Sequence, residues 1–498
     1  MAVDRDPVSL APGVTREYLL HHRVCPVAYD VGGTLLVAAA ADALLDDAID
    51  DLAWAYRCPV VVQATAPREI DRLIERLAAR ADHDGAQAVA LAHESRGDDE
   101  GWSADVRNLA TQPPVVRYVN LLLREAHDAG ASDIHLAATR RGLDVRLRID
   151  GVLVGAVAPA AELALAVVSR IKLLADLDIA ERRRPQDGRI RARLDARELD
   201  VRISTVPTIF GESVVLRLLD RGDGPVDLAT LGLPSDLFRA VRQVAMRPHG
   251  LLLVTGPTGS GKTTTLYSAL QCRDTAAEKI ITVEDPIEYE LPGVTQVPVH
   301  RHVGVTFAAA LRSILRQDPD VIMLGEMRDP ETAEVAIQAA LTGHLVLSTL
   351  HTNDAVSAIP RLLDLGVPAY LIAATLEGVL AQRLVRRICA HCRCPDEPEA
   401  SAVETLRTAA GAVGDVPRTF ERGAGCPACR QTGYRGRMGL FEFMSVSDAE
   451  RRQIASGDPT NLRALAVSGG MRSLAADGWD KVMAGHTTIA EVQRVALR

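Results

Sequence analysis

Aromatic side chains are scarce in this 498-residue chain, at 3% of the total, so its cores must be built from Leu, Val, Ile and Ala. Lysine is rarer still, four among 56 basic residues. An excess of positive charge is also missing: the net charge is −9 and the pI about 5.8, the wrong sign for a protein that lives by gripping nucleic-acid phosphates. No apolar run approaches the ~18 residues of a membrane span, and the stretch from Thr34 is broken by Asp42. The N-terminus has no basic segment leading into an apolar one, which predicts a cytoplasmic protein without a secretory signal. Cysteine is modest at eight, but five fall between 389 and 429, and in a reducing compartment such clustering argues for metal rather than disulfides.

What is present is an α/β multidomain pattern. Residues 1–80 read as a small α/β unit, with strands near Gly33–Ala38 and Cys58–Gln63 and a helix over Pro67–Ala79 carrying Ile70, Leu73, Ile74 and Leu77. Residues 81–111 are acidic and aperiodic, as expected of a flexible linker. Periodicity resumes for a block over 112–220 and breaks at a hinge over 221–230. A longer α/β block follows over 231–386, then a cysteine-rich segment over 387–437 and a helical tail over 438–498.

The sharpest signal is Gly256-Pro257-Thr258-Gly259-Ser260-Gly261-Lys262-Thr263, followed by Thr264, between an apolar strand and a helix-forming segment. Glycines let consecutive N–H groups converge on phosphate oxygens, and the helix N-terminus adds partial positive charge. The motif predicts an ATP site, with Lys262 on the β- and γ-phosphates and Thr263 on Mg²⁺. A second apolar run, Val321-Ile322-Met323-Leu324-Gly325-Glu326, ends in one acid, which makes Glu326 the candidate to polarise the attacking water. Glu284 and Glu288, after the strand Lys279–Val283, offer carboxylates for Mg²⁺ or water. His344 and His351 frame a further apolar strand and are expected at the same sheet edge as Glu326, with His351 nearer the γ-phosphate. Cys389-Ala390-His391-Cys392 and Cys426-Pro427-Ala428-Cys429 form two C-x₂-C knuckles separated by 33 residues, the pattern of a closed structural Zn²⁺ site, in which Cys394 or His391 could replace a ligand.

Further blocks carry a family resemblance. They are Thr282-Val283-Glu284-Asp285-Pro286-Ile287-Glu288-Tyr289, Leu311 to Asp320 leading into Gly325-Glu326-Met327-Arg328-Asp329, and Thr342-Gly343-His344 through His351-Thr352-Asn353. Upstream stand Ala131-Ser132-Asp133-Ile134-His135, Arg146 to Gly151 and Arg184 to Arg189. From about Pro113 onward the chain resembles the secretion-superfamily (type II/type IV) traffic ATPases, most of all the assembly ATPase of type II secretion. Ala137, where the family often has Glu, departs from the pattern without touching a catalytic position. The resemblance implies a RecA-like ATPase domain over 231–386 after a PAS-like domain over 112–220, and ATP sites completed by neighbours in a hexameric ring. Arg202 and Arg217 would then reach the nucleotide as arginine fingers. It also implies that residues 1–80 dock on the cytoplasmic domain of a bitopic inner-membrane platform protein and that the ring acts on a polytopic platform protein; the −9 net charge and the absence of a basic, aromatic-interleaved stripe argue against nucleic acid as a partner. The chain would thus be cytoplasmic and peripherally recruited to the inner membrane. The zinc segment implies an assembling rather than a retracting motor. The alternatives are a type IV pilus assembly ATPase and, with less support, a DNA-uptake or conjugation motor or a non-hydrolytic scaffold.

Overall fold

A computed structural model describes residues 19–20, 22–29, 34–39, 48–49, 52–53, 56, 58–67, 69–75 and 77, then 110–194, 197–220, 226–413 and 419–497. The expected linker, but for residues 110 and 111, lies outside them, as does half of the hinge (221–225). The chain divides into two compact units: 1–148, 153–196 and 201–218 form one, and 149–152, 197–200 and 219–498 the other.

The first unit holds two sheets. Strands β1 (Val24–Tyr29), β2 (Leu35–Ala39) and β3 (Val60–Ala64) form the smaller one, with β2 antiparallel to β1 and parallel to β3. Ile70, Ile74 and Leu77 are buried in its core, as the i, i+4, i+7 spacing requires. The larger sheet comprises β4 (Ala131–Thr139), β5 (Gly142–Ile149), β6 (Val152–Gly155), β7 (Gln186–Leu194), β8 (Arg197–Thr208) and β9 (Gly211–Asp220), in the order β6-β5-β4-β9-β8-β7. The helix Pro113–Asp128 buries Val115, Val119, Leu122, Leu123 and Ala126, the stripe its sequence shows. Lys172 is fully buried beside Glu212 at 2.9 Å and also donates to the Glu181 carbonyl, so this interior charge is paired.

The second unit is built on a seven-stranded sheet: β10 (Gly250–Thr255), β11 (Ile280–Glu284), β12 (Thr295–Pro298), β13 (Val321–Leu324), β14 (Leu345–Leu350), β15 (Leu376–Ile388) and β18 (Tyr434–Ser445). Its order is β12-β11-β13-β14-β10-β15-β18, parallel except for the antiparallel β18. Parallel sheets are covered on both faces, which is why these strands read as unbroken apolar runs. In β10, Leu251 and Leu253 enter one core while Leu252 and Val254 enter the other. Between β15 and β18 the chain makes its cysteine excursion, in which β16 (Arg393–Asp396) pairs antiparallel with β17 (Phe420–Gly423). The last helices, Asp448–Ala455, Leu462–Ser468, Leu474–Met483 and Ile489–Ala496, close the unit. Among the described residues no helix is long and apolar enough to cross a membrane.

Candidate active site

The phosphate loop leaves the carboxyl end of β10 and enters the helix Lys262–Leu270, the place where open parallel sheets bind ligands. Its glycines are sterically required. Gly256 has φ +151°, and a Cβ there would stand 2.4 Å from the Gln382 carbonyl; Gly261 has φ +85°, with the Gln382 amide nitrogen 2.9 Å from where its Cβ would be. Lys262 is buried inside the loop, where its Nζ donates to the carbonyls of Gly256 (2.9 Å) and Pro257 (3.0 Å). Burial pushes its pKa down to about 8, against Glu326, which holds it up, and with Arg383 and Arg328, which lower it further. The Ser260 hydroxyl is buried without a partner, while Thr263 and Thr264 are half-buried at the helix start. The orphaned Ser260 hydroxyl and the open N–H groups of the first helical turn fit a triphosphate and its Mg²⁺.

Glu326 and His351 meet at the same edge. Glu326 follows β13, and its Oε2 lies 2.6 Å from Arg328 Nε and 3.6 Å from His351 Nε2. Side-chain bonds stitch the strand ends together: Thr349 Oγ1 donates to the Gly325 carbonyl at 2.7 Å, and the hydroxyls of Thr255 and Thr352 are 2.7 Å apart. Burial and then the Lys262 charge lower the His351 pKa, although the nearby Glu326 carboxylate opposes them. The imidazole is therefore neutral at pH 7 and can donate one hydrogen bond.

His344 departs from expectation. It precedes β14, about 20 Å of strand away from His351. There its Nδ1 lies 2.9 Å from the Ala339 carbonyl, at the end of the helix Pro330–Leu341. Two histidines flanking one strand occupy opposite sheet edges, so His344 does not join the site. Glu284 is placed at the correct edge but is 1% exposed. Its carboxylate accepts from the Tyr267 hydroxyl, from Thr282 Oγ1 at 2.5 Å and from Gln296 Nε2 at 3.1 Å. With those donors around it, Glu284 is held as a buried support for the end of β11 rather than presented to water or Mg²⁺.

Arg202 and Arg217 lie in the other unit, on β8 and β9. Arg217 pairs across strands with Asp133 of the Ser-Asp-Ile-His block, its Nε 2.9 Å from Oδ1, while its side chain stays 59% exposed. Two contributors at the nucleotide edge were missed by motif reading. Gln382 underlies the phosphate loop and accepts from Thr265 Oγ1 at 2.6 Å, and Arg383 holds Asn353. Both sit inside an apolar strand, and neither lies in a glycine-rich or acidic motif, so only pairing of β15 with β10 reveals them.

The four knuckle cysteines converge, all their Sγ atoms lying within 4.8 Å of one another. Sγ separations are 3.9 Å for Cys389–Cys426, 3.8 Å for Cys392–Cys429 and 3.7 Å for Cys426–Cys429. Zn–S bonds of about 2.3 Å in a tetrahedron have S···S edges of about 3.8 Å, so the thiols are spaced for zinc and too far apart for disulfides. The backbone N–H groups of Cys426 and Gly433 point at Cys429 Sγ from 3.2 and 3.3 Å, as a thiolate requires. Cys394, on β16, and His391 are outside this cluster.

A parallel sheet with a lysine-bearing phosphate loop after β10, an acid at the end of β13 and a histidine at the end of β14 between them defines a P-loop ATPase. The chain belongs to the type II/IV secretion system protein family, which it matches over residues 108–494, with an MshEN domain matched over residues 2–84. It is 48% identical to the type II secretion system protein HxcR of Pseudomonas aeruginosa, across 88% of this chain and 90% of that protein. It is 46% identical to type II secretion system protein E of Xanthomonas campestris, across 97% and 84%. The type IV pilus assembly ATPase PilB of Myxococcus xanthus is 41% identical, across 98% and 86%. A crystal structure of the pilus retraction motor PilT with bound ADP superposes with a TM-score of 0.51 at 26% identity, covering 76% of this chain and 97% of that one. The protein is a secretion ATPase, and its similarity favours the type II secretion branch over the pilus branch.

Proposed function

We propose that this chain is the assembly motor of a type II secretion system, hydrolysing ATP to drive pseudopilus assembly and so protein export. The observation that carries the reading is the junction of Lys262, Glu326 and His351 at one sheet edge, in a chain so similar to type II secretion ATPases. Lys262 would bind the β- and γ-phosphates, Thr263 would ligate Mg²⁺, and Gly256–Thr264 would cradle the anion with backbone N–H groups. Glu326 would orient water for in-line attack, and neutral His351 would donate to the γ-phosphate. Glu284 we assign to positioning, since its partners are all internal. Arg202 and Arg217 would supply cations from the preceding unit, Arg217 after exchanging Asp133 for phosphate. Cys389, Cys392, Cys426 and Cys429 would hold a structural Zn²⁺ that clamps the excursion between β15 and β18.

The family reading extends to assembly: a hexameric ring, recruited to the inner membrane when residues 1–80 bind the cytoplasmic domain of the bitopic platform protein, and acting on the polytopic platform protein without nucleic acid. The test is phosphate release by the full chain with Mg-ATP, with and without the bitopic protein's cytoplasmic domain, the pilus counterpart serving as control. Stimulation by the secretion partner alone supports the reading. Stimulation by the pilus counterpart alone transfers the motor to pilus assembly, and stimulation by DNA would point to a translocase.

A further inference from the structure

We propose that Arg383 is a positioning residue that ties the loop after β14 to the terminal phosphate of bound nucleotide; the inference rests on the nucleotide-site reading above. Arg383 lies on β15, the strand that pairs with the phosphate-loop strand β10. Its flanking residues Gln382 and Leu384 face the loop at Gly261, where a Cβ would meet both side chains, so strand alternation turns Arg383 to the other face of β15, toward the segment after β14. Arg383 as a whole is 9% exposed. Its Nη2 donates to both the carbonyl (3.0 Å) and the Oδ1 (3.2 Å) of Asn353, two residues beyond His351. Its Nη1 is buried and has no hydrogen-bond partner.

A buried cation with an idle donor costs free energy unless a counter-charge arrives. Asp354 and Glu442 supply charge from one side, but each carboxylate is engaged elsewhere. Asp354 pairs with Arg463 at 2.8 Å and accepts from Ser357, and Glu442 accepts from the Ala355 backbone N–H at 2.9 Å. The Arg383 charge also acts on Lys262, pushing its pKa down. Two buried cations near one another, Lys262 in the phosphate loop and Arg383 bonded to the segment after β14, suit an anion between them. The group that binds there would be reached by Nη1, while Nη2 holds Asn353 and with it the segment carrying His351. A planar guanidinium can make both contacts at once; an ammonium cannot span them with fixed geometry. The contact would give the site a preference for nucleoside triphosphate over diphosphate and couple occupancy to the position of His351.

The experiment is calorimetric binding of ADP and of ATPγS to the full chain and to Arg383→Gln and Arg383→Lys variants. Circular dichroism melting serves as the check on folding. Arg383→Gln should weaken ATPγS at least tenfold and change ADP by less than threefold. Arg383→Lys keeps the charge, so it tests the geometry should the Gln variant fail to fold; it should lose most of the triphosphate preference. Equal weakening of both nucleotides would reduce Arg383 to a structural or general electrostatic role, and unchanged binding of both would leave Nη1 with no ligand. Either overturns the proposal. If the wild-type chain binds neither nucleotide, the nucleotide-site reading itself falls, and the inference with it.

Discussion

At single residues, the chemistry turns on charges that the fold takes out of water. Lys262 is held inside its own loop by two carbonyls, with its pKa pushed down to about 8 by burial. Phosphate binding selects the ammonium form, so nucleotide affinity should be constant below pH 8 and fall as pH rises through it, approaching tenfold per unit. Titrations from pH 6.5 to 9.5 check this, and a flat profile would place the lysine's pKa elsewhere. Glu326 is the acid poised beside both Arg328 and His351. Glu326→Gln keeps the shape and removes the base, so turnover should drop about 10²–10⁴-fold while ATP affinity stays within a few-fold. Phosphate release and nucleotide titration on one preparation separate the two effects.

Among the elements, two sets of contacts decide stability. Glu284 at the end of β11 collects donors from Tyr267, Thr282 and Gln296. Glu284→Ala strands those donors in the core and should lower unfolding free energy by about 3 kcal/mol, read from urea denaturation. Glu284→Gln should cost less, because the amide oxygen still accepts. A loss of turnover in the Gln variant with unchanged stability would return Glu284 to the catalytic list. The cysteine excursion presents the second case. One zinc per chain is expected by mass spectrometry of the native protein, falling towards zero in Cys426→Ser. That variant should melt roughly 5 °C or more below wild type, since β16 and β17 then lose the clamp at their base. A native protein without zinc would sink this reading.

For the whole molecule, the proposed arginine fingers would bring a cation to the nucleotide from outside the second unit. Arg217 is half free on its sheet, paired with Asp133 across β4 and β9. Removing a transition-state cation costs on the order of 10³-fold or more in comparable phosphoryl transfers. Arg217→Ala should therefore abolish turnover and leave ATP binding within a few-fold. If the cation comes from a neighbour in a ring, specific activity should also rise with protein concentration, and sedimentation should show the larger species at the same concentrations. Normal turnover in the mutant, or activity independent of concentration, would remove the arginine-finger role or the ring respectively.

The phosphate loop, the Glu326 strand and the two cysteine knuckles were legible before any coordinates, because each is a local pattern: glycines where backbone must approach an anion, an apolar run ending in acid, thiols spaced for one turn. The buried strands were legible for a similar reason, since a parallel sheet covered on both faces writes itself as continuous Val, Leu and Ile. The placement of His344, Glu284 and Arg383 was not. Whether His344 stands at the same edge as His351 depends on which end of β14 each occupies. Whether Glu284 meets water or a phenol depends on the helix Lys262–Leu270 packing Tyr267 against it, and Arg383 gains its meaning only when β15 pairs with β10. Local motifs carry the chemistry of backbone and ligand class; burial and partner choice come from residues tens of positions away, which chain order does not bring together and sheet order does.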